Sequence, residues 1–248
     1  MNYYKLIISY SGSHFCGWQF QQVNPNTAQQ FLQEKLVLKT RTKNLSLYAA
    51  SRTDRGVSAS HQVVRLEIDK EVSTEKFARG FNEEFGQYMK IKSIEAVDSS
   101  FNPLYNIDYK EYHYYFSMGH VPPSLSSTIV ELENLDISEM QKACELIKGS
   151  HDFKFFCVSG GRETNREVLN CEILEIENSP LCSDLYYLKI SSTGFLKYMV
   201  RMIMGALIKL GRGEISLSDL ESQLCGKETF TAKKASPYGL NLFVIKYQ

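Results

Sequence analysis

The alternation of apolar and polar residues predicts two successive runs of the same elements. In the first run, apolar residues alternate along residues 4–10 as in a half-buried strand. A helix follows Thr27, because Thr27 and Gln30 have capping-box spacing and Phe31, Leu32 and Leu36 form an apolar face. The remaining predicted elements are strands at 45–50 and 62–68, a helix at 74–85 and a strand at 91–97. The predicted order is therefore β-α-β-β-α-β.

The second part of the chain repeats that order in pattern, although not in sequence identity. It predicts a strand at 111–117, a helix at 138–148, strands at 169–175 and 185–191, a helix at 195–210 and a last strand at 242–247. We therefore predict an α+β fold of two ferredoxin-like halves, residues 1–104 and 105–248. Their sheets can join edge to edge into one mainly antiparallel sheet with helices on one face.

Composition excludes several classes of protein. The 248 residues are 43% hydrophobic and 23% charged, which is typical of a globular protein with a large core. No apolar stretch is long enough for a signal peptide or a membrane span, so we expect a cytoplasmic protein without membrane contact. The six cysteines form no Cys-x-x-Cys pair and have no nearby histidine pair, so neither a zinc site nor a redox motif is expected.

The charge balance sets a condition on any nucleic-acid partner. Lys and Arg number 28 and so do Asp and Glu, which gives a formal net charge of zero. Phosphate binding normally requires a basic excess, so an RNA-binding face must come from the placement of basic residues. The candidates are Lys39, Arg41, Lys43, Arg52, Arg55, Arg162, Arg166, Lys197, Arg201, Arg212, Lys233 and Lys234.

The segment SRTDRGVSAS at residues 51–60 places one acid between two permanent cations. Asp54 stands between Arg52 and Arg55, and Gly56 supplies the free φ of a tight turn after a predicted strand. Such an acid should stay ionised at neutral pH and is a candidate nucleophile. The alternative is an exposed turn with two local ion pairs, each worth ~0 to 1 kcal/mol.

Two further segments offer groups that such an acid could use. The strand EYHYYFS places Tyr112, Tyr114 and Phe116 on one face, where aromatic rings either stack on a base or fill the core. The helix FLKYMVRMIMGALIKLGRG embeds Arg201 among apolar residues, with Gly205 one turn away. A half-buried cation requires a carboxylate or phosphate partner, so Arg201 belongs either to a structural ion pair or to a functional site.

These segments resemble those of the pseudouridine synthases related to bacterial tRNA pseudouridine synthase A. RTDRGVSA resembles the family's catalytic loop, in which the Asp corresponding to Asp54 is the catalytic residue. Tyr112 matches the first Tyr of the family's Tyr-x-Tyr strand, and Arg201 matches the Met-Val-Arg-x-x-x-Gly helix, whose Arg pairs with the catalytic Asp. YSGSHFCGWQFQ at 10–21, GSHDFKFF at 149–156 and YGLNLFVIKY at 238–247 extend the resemblance over nearly the whole chain.

The resemblance implies isomerisation of uridine to pseudouridine in the tRNA anticodon stem-loop, at positions 38–40, without cofactor or metal. The target base would flip into an RNA-binding cleft. Asp54 would attack either the anomeric carbon or the uracil ring, and both routes stay open. Tyr112 would stack on the base and assist proton transfer, while Arg201 would hold Asp54 ionised. Arg52 would contact RNA phosphate or fill the space of the flipped base.

Three departures from the family pattern bear on specificity and assembly. Ser51 replaces the usual Gly, Ser11 replaces an Asp, and Leu104 replaces an Arg of bacterial members. The ending Arg-Gly-Val-Ser-Ala is closer to archaeal and eukaryotic members than to the bacterial Ala-Gly-Val-His. The sequence therefore does not decide whether this chain forms the homodimer of its bacterial relatives. Alternative functions are a pseudouridine synthase with other RNA targets and a catalytically silent RNA-binding protein.

Overall fold

The computed structural model describes residues 1–24, 26–158, 160–161 and 163–248. It divides the chain into two compact units. The first comprises Met1–Asp108 with Leu242–Gln248, and the second comprises Tyr109–Asn241. Five α-helices and ten strands occur among these residues, and nearly all strand pairs are antiparallel. The predicted α+β class is confirmed.

The first unit contains the predicted β-α-β-β-α-β order. Its elements are β1 (Asn2–Tyr10), α1 (Ala28–Thr40), β2 (Leu45–Ala49), β3 (Ser58–Ile68), α2 (Thr74–Phe85) and β4 (Met89–Ala96). β1 pairs antiparallel with both β3 and β4, and β2 pairs with the other edge of β3. The resulting strand order, β4-β1-β3-β2, is that of a ferredoxin-like sheet.

The core of the first unit follows the period of two along β1. Tyr4, Leu6, Ile8 and Tyr10 are buried, while the residues between them are only partly buried. The Thr27 hydroxyl accepts a hydrogen bond from the Gln30 amide, so α1 begins where the capping pattern predicts. α2 coincides with its predicted range, Thr74–Phe85.

The second unit contains further strands and three helices. Its elements are β5 (Ile107–Ser117), β6 (Val130–Glu131), α3 (Ile137–Ile147), β7 (Gly149–Asp152), β8 (Asn165–Glu175), β9 (Leu185–Ser192), α4 (Met199–Gly211) and α5 (Leu217–Leu224). The strands lie in the order β5-β9-β8-β7, and β6 pairs parallel with β5. The last strand, β10 (Leu240–Tyr247), contains the predicted 242–247.

Two helices of the second unit differ from the sequence prediction. The helix predicted at 195–210 begins only at Met199, because Tyr198 has φ 67° and ψ 1°, a left-handed conformation that no α-helix interior contains. α5 was not predicted, although its start has a complete capping box between Ser216 and Asp219. The Ser-x-x-Asp spacing was the signal that could have located it.

Candidate functional site

The loop that carries Asp54 connects β2 to β3 and is held at its start by one buried amide. The Gln62 side chain accepts a hydrogen bond from the Ser51 amide at 3.2 Å and donates one to the Ser51 carbonyl at 2.6 Å. Gln62 is fully buried. Because this clamp uses only main-chain atoms of residue 51, the presence of Ser instead of the family's Gly leaves it intact.

The centre of the loop is fixed by Thr53. Its hydroxyl lies 2.9 Å from the Tyr10 hydroxyl, and its carbonyl accepts a hydrogen bond from the Trp18 amide at 3.0 Å. The turn then closes through a hydrogen bond from the Val57 amide to the Asp54 carbonyl, with Gly56 at φ 82°. The tight turn predicted from Gly56 is thus confirmed, and the backbone of Asp54 is bonded on both sides.

The segment at 10–21 packs against this loop. At Gly17 (φ 96°) a Cβ atom would lie 2.9 Å from the Thr53 carbonyl oxygen, and at Gly12 it would collide with the backbone of Val57. Trp18 is 2% exposed and packs beside Tyr10, with ring centroids 6.0 Å apart. This segment therefore anchors the loop, and its two glycines allow the backbones to approach closely.

The three charged residues of the loop differ in exposure. Arg52 and Arg55 are exposed, whereas Asp54 is partly buried. The fixed backbone therefore presents one carboxylate at a defined position between two solvated cations. Such an arrangement can supply a nucleophile without a long flexible side chain.

Tyr112 lies on β5 in the second unit and is 7% exposed. Its ring meets Phe195 edge to face, with centroids 5.2 Å apart and planes at 89°. Tyr114 and Phe116, on the same face of the strand, are 1% and 0% exposed. Of the two alternatives, these two rings therefore fill the core, and Tyr112 lies at the end of that aromatic row.

The opposite face of β5 carries a polar network. His113 contacts Glu111 at 2.9 Å through Nε2 and the Tyr115 hydroxyl at 3.1 Å through Nδ1. Burial lowers the pKa of His113, and Glu111 partly opposes that shift. The side chains on this face of β5 are therefore bonded to one another and do not form a row of free aromatic rings.

Arg201 lies in the first turn of α4 and is partly buried. Its Nε donates a hydrogen bond to the Ala235 carbonyl at 2.9 Å, and its own carbonyl accepts one from the Ala235 amide at 2.9 Å. One turn later, a Cβ on Gly205 would collide with the Lys233 carbonyl. Arg201 and Gly205, matched to one family motif, thus both dock the segment at 233–235 on α4.

Tyr114 lies beside Arg201 in the core. Burial raises the pKa of the Tyr114 phenol, and the nearby Arg201 cation opposes this shift. Its hydroxyl has no hydrogen-bond partner among the residues that the structure describes. The Arg201 cation therefore lies close enough to the buried Tyr114 phenol to affect its pKa.

Lys110 is a residue of interest that the sequence reasoning missed. It lies two residues before Tyr112 and on the same face of β5, and burial lowers its pKa to about 8. A lysine whose pKa is lowered by burial beside a predicted site residue is a candidate functional residue. The period of two along the strand was the signal that places it with Tyr112.

The structure places the predicted residues in two groups. Asp54 and Arg52 belong to the first unit, and Tyr112 and Arg201 to the second. The pairing of Asp54 with Arg201 stays a prediction. Among the predicted basic residues, Lys39 pairs with Glu84 at 2.6 Å, and Arg162 lies outside the described residues.

Comparison with known proteins gives matches over the whole length. A family model described as tRNA pseudouridine synthase matches residues 143–248. The protein named tRNA pseudouridine synthase A 2 of Desulfotalea psychrophila (strain LSv54 / DSM 12343) is 33% identical over 258 residues, covering 99% of each chain. The protein named tRNA pseudouridine synthase A of Ruminiclostridium cellulolyticum is 32% identical over 98% of each chain. That of Citrifermentans bemidjiense is 32% identical over 98% of this chain and 97% of its own.

No helix of the described residues is long and apolar enough to cross a membrane.

Proposed function

This chain belongs to the tRNA pseudouridine synthase A family, and we propose that it converts uridine to pseudouridine in the anticodon stem-loop of tRNA, with Asp54 as nucleophile. Family membership makes it a pseudouridine synthase that acts on tRNA. The observation that carries the site assignment is the Asp54 loop, whose backbone is fixed on both sides by Gln62, Trp18 and the Val57 amide. A loop with that degree of support is suited to hold a reacting carboxylate.

The reaction moves a glycosidic bond from nitrogen to carbon. The bond from N1 of uracil to the anomeric carbon breaks, a bond from C5 to the same carbon forms, and the proton of C5 is lost while N1 gains one. Asp54 would attack the anomeric carbon or the uracil ring and leave again before product release. The isomerisation is balanced without any redox step.

The other proposed residues act on Asp54 or on the base. Arg201 would hold the carboxylate ionised and oriented. Tyr112 would stack on the flipped uracil in an RNA-binding cleft, and its hydroxyl would assist proton transfer. Arg52, which is exposed on the Asp54 loop, would contact RNA phosphate or fill the space that the flipped base leaves.

The proposal also includes the assembly of the protein and its location in the cell. We expect the protein to act in the cytoplasm, where tRNA is modified, and to do so without a cofactor. A homodimer is the assembly that the family resemblance implies, and the mass of the purified protein in solution tests it.

The test of the proposed targets uses transcribed tRNAs that carry uridine at positions 38–40. We expect pseudouridine at those positions and none in a matched transcript with cytidine there, measured by chemical mapping after incubation with the protein. Pseudouridine at other positions only would show an enzyme with different targets. No pseudouridine in any tRNA would contradict the enzymatic function and favour a silent RNA-binding protein.

A further inference from the structure

Three cations surround one tyrosine ring where α4 begins. The Lys234 ammonium lies 4.2 Å from the centroid of the Tyr198 ring, the Lys197 ammonium 5.1 Å and the Arg201 guanidinium carbon 5.7 Å. All three are within the distance at which a cation is attracted by the face of an aromatic ring. We call Lys197, Tyr198, Arg201 and Lys234 the Tyr198 cluster.

Main-chain packing holds this cluster in place. The reciprocal hydrogen bonds between Arg201 and Ala235, both 2.9 Å, fix the segment that carries Lys234 on α4. Gly205 permits that close approach, because any Cβ there would collide with the Lys233 carbonyl. The cations therefore converge because the backbones that carry them are docked together.

The lysines of the cluster have no acidic partner in their own unit. Within the described part of the second unit, no carboxylate forms an ion pair with Lys197, with Lys234 or with the neighbouring Lys233, which is outside the cluster, and all three are exposed. By contrast, Lys142 and Lys148 on and after α3 each pair with a glutamate at 2.7 Å. Converging like charges repel one another, so an anion that lies among them would be attracted strongly.

We propose that the Tyr198 cluster binds a backbone phosphate of the RNA substrate. The ammonium groups of Lys197 and Lys234 are donors that suit phosphate oxygens, and the Tyr198 ring keeps them in position. The Arg201 guanidinium adds positive charge beside the ring while it stays bonded to the Ala235 carbonyl. The positive end of the α4 dipole adds to the attraction. The inference rests on the proposed function. It adds a contact with the RNA backbone on one side of the reacting nucleotide to the contacts with that nucleotide itself.

Two double variants with equal charge change test the proposal in the full chain. Lys197→Gln with Lys234→Gln removes two cations of the cluster, and Lys142→Gln with Lys148→Gln removes two cations elsewhere in the same unit. The dissociation constant for a tRNA transcript is measured at several salt concentrations. We expect the cluster double variant to bind about tenfold more weakly at 0.1 M salt. The slope of log affinity against log salt should fall in magnitude by about 0.7 to 0.9, the amount expected when one phosphate is no longer neutralised.

The control double variant should stay within about twofold of the unmodified protein in both quantities. Equal losses in the two double variants, or no loss in either, would overturn the proposal, because a general charge effect or none would then explain the data. Binding by the unmodified protein that does not depend on salt would overturn it as well.

A third variant tests the role of the ring. Tyr198→Asn keeps a residue that tolerates positive φ, so α4 should begin unchanged, but it removes the face that holds the cations. We expect weaker binding with an unchanged salt slope, since every charge remains. Affinity equal to that of the unmodified protein would contradict a positioning role for Tyr198. If the unmodified protein makes no pseudouridine, the proposed function fails, while the affinity comparison still decides the phosphate site.

Discussion

At the scale of single residues, the Asp54 loop is held by neutral groups and not by its flanking arginines. Gln62 clamps Ser51, Thr53 bonds to Tyr10 and Trp18, and both arginines remain exposed. Removal of Arg55 should therefore leave the loop conformation unchanged, whereas a change at Gln62 would remove two hydrogen bonds to the loop backbone.

The paired tyrosines of β5 allow a matched prediction. Tyr112→Phe keeps the ring for stacking and removes only the hydroxyl, so the single-turnover rate should fall by about 10²-fold with little change in tRNA affinity. Tyr114→Phe, two residues away on the same face, should leave the rate unchanged. Since its hydroxyl has no hydrogen-bond partner among the described residues, the free energy of unfolding should stay equal or rise by up to about 1 kcal/mol.

Rapid-quench kinetics with excess enzyme and urea denaturation give the two quantities. Equal rate losses in Tyr112→Phe and Tyr114→Phe would contradict a chemical role for the Tyr112 hydroxyl, because only a packing effect is common to both.

Residue types and motifs could be predicted from the sequence, whereas their contacts could not. The sequence by itself shows that one acid lies between two arginines and that another arginine lies in an apolar helix. Gln62, eleven residues after Ser51, acts only once β2 and β3 pair, and nothing local distinguishes it. Lys110 was missed for a similar reason, since its partial burial comes from tertiary packing.

At the scale of elements, α4 and the segment at 233–235 form one structural piece. Arg201 binds that segment through its side chain and its backbone, and Gly205 leaves the space for it. The shortened start of α4 belongs to the same piece, because the left-handed Tyr198 ends the preceding turn and places its ring among the cations. The spacing of apolar residues along the helix predicts neither the docked segment nor the shortened start, because neither backbone docking nor a positive φ changes that spacing.

Two glycine substitutions separate docking from helix propensity. Gly205→Ala should lower the free energy of unfolding by about 2 kcal/mol, because its Cβ meets a backbone carbonyl that has no room to move. Gly80→Ala in α2 should raise it by ~0.5 to 1 kcal/mol, since the nearest atom to its Cβ is the Lys39 Nζ at 3.9 Å. Urea denaturation measures both. A stabilising Gly205→Ala would contradict the close approach of the segment.

At the scale of the whole molecule, the order of elements was the most predictable property. Every predicted element of the first half is present, with ends shifted by a few residues. The match to relatives over 98–99% of the chain agrees with a fold and family read from motifs spread along its length. The zero net charge, by contrast, does not show where basic residues such as those of the Tyr198 cluster lie, so their proposed contact with the RNA required the structure.

The most direct test of the central claim is the rate of pseudouridine formation by Asp54→Asn on a tRNA that the unmodified protein modifies. The control is Asp69→Asn, which changes the same charge at an exposed position of the first unit. We predict a loss of about 10⁴-fold or more for Asp54→Asn, with tRNA affinity retained, and no loss for the control. Pseudouridine formation by Asp54→Asn at the rate of the unmodified protein would contradict the assignment of Asp54 as nucleophile.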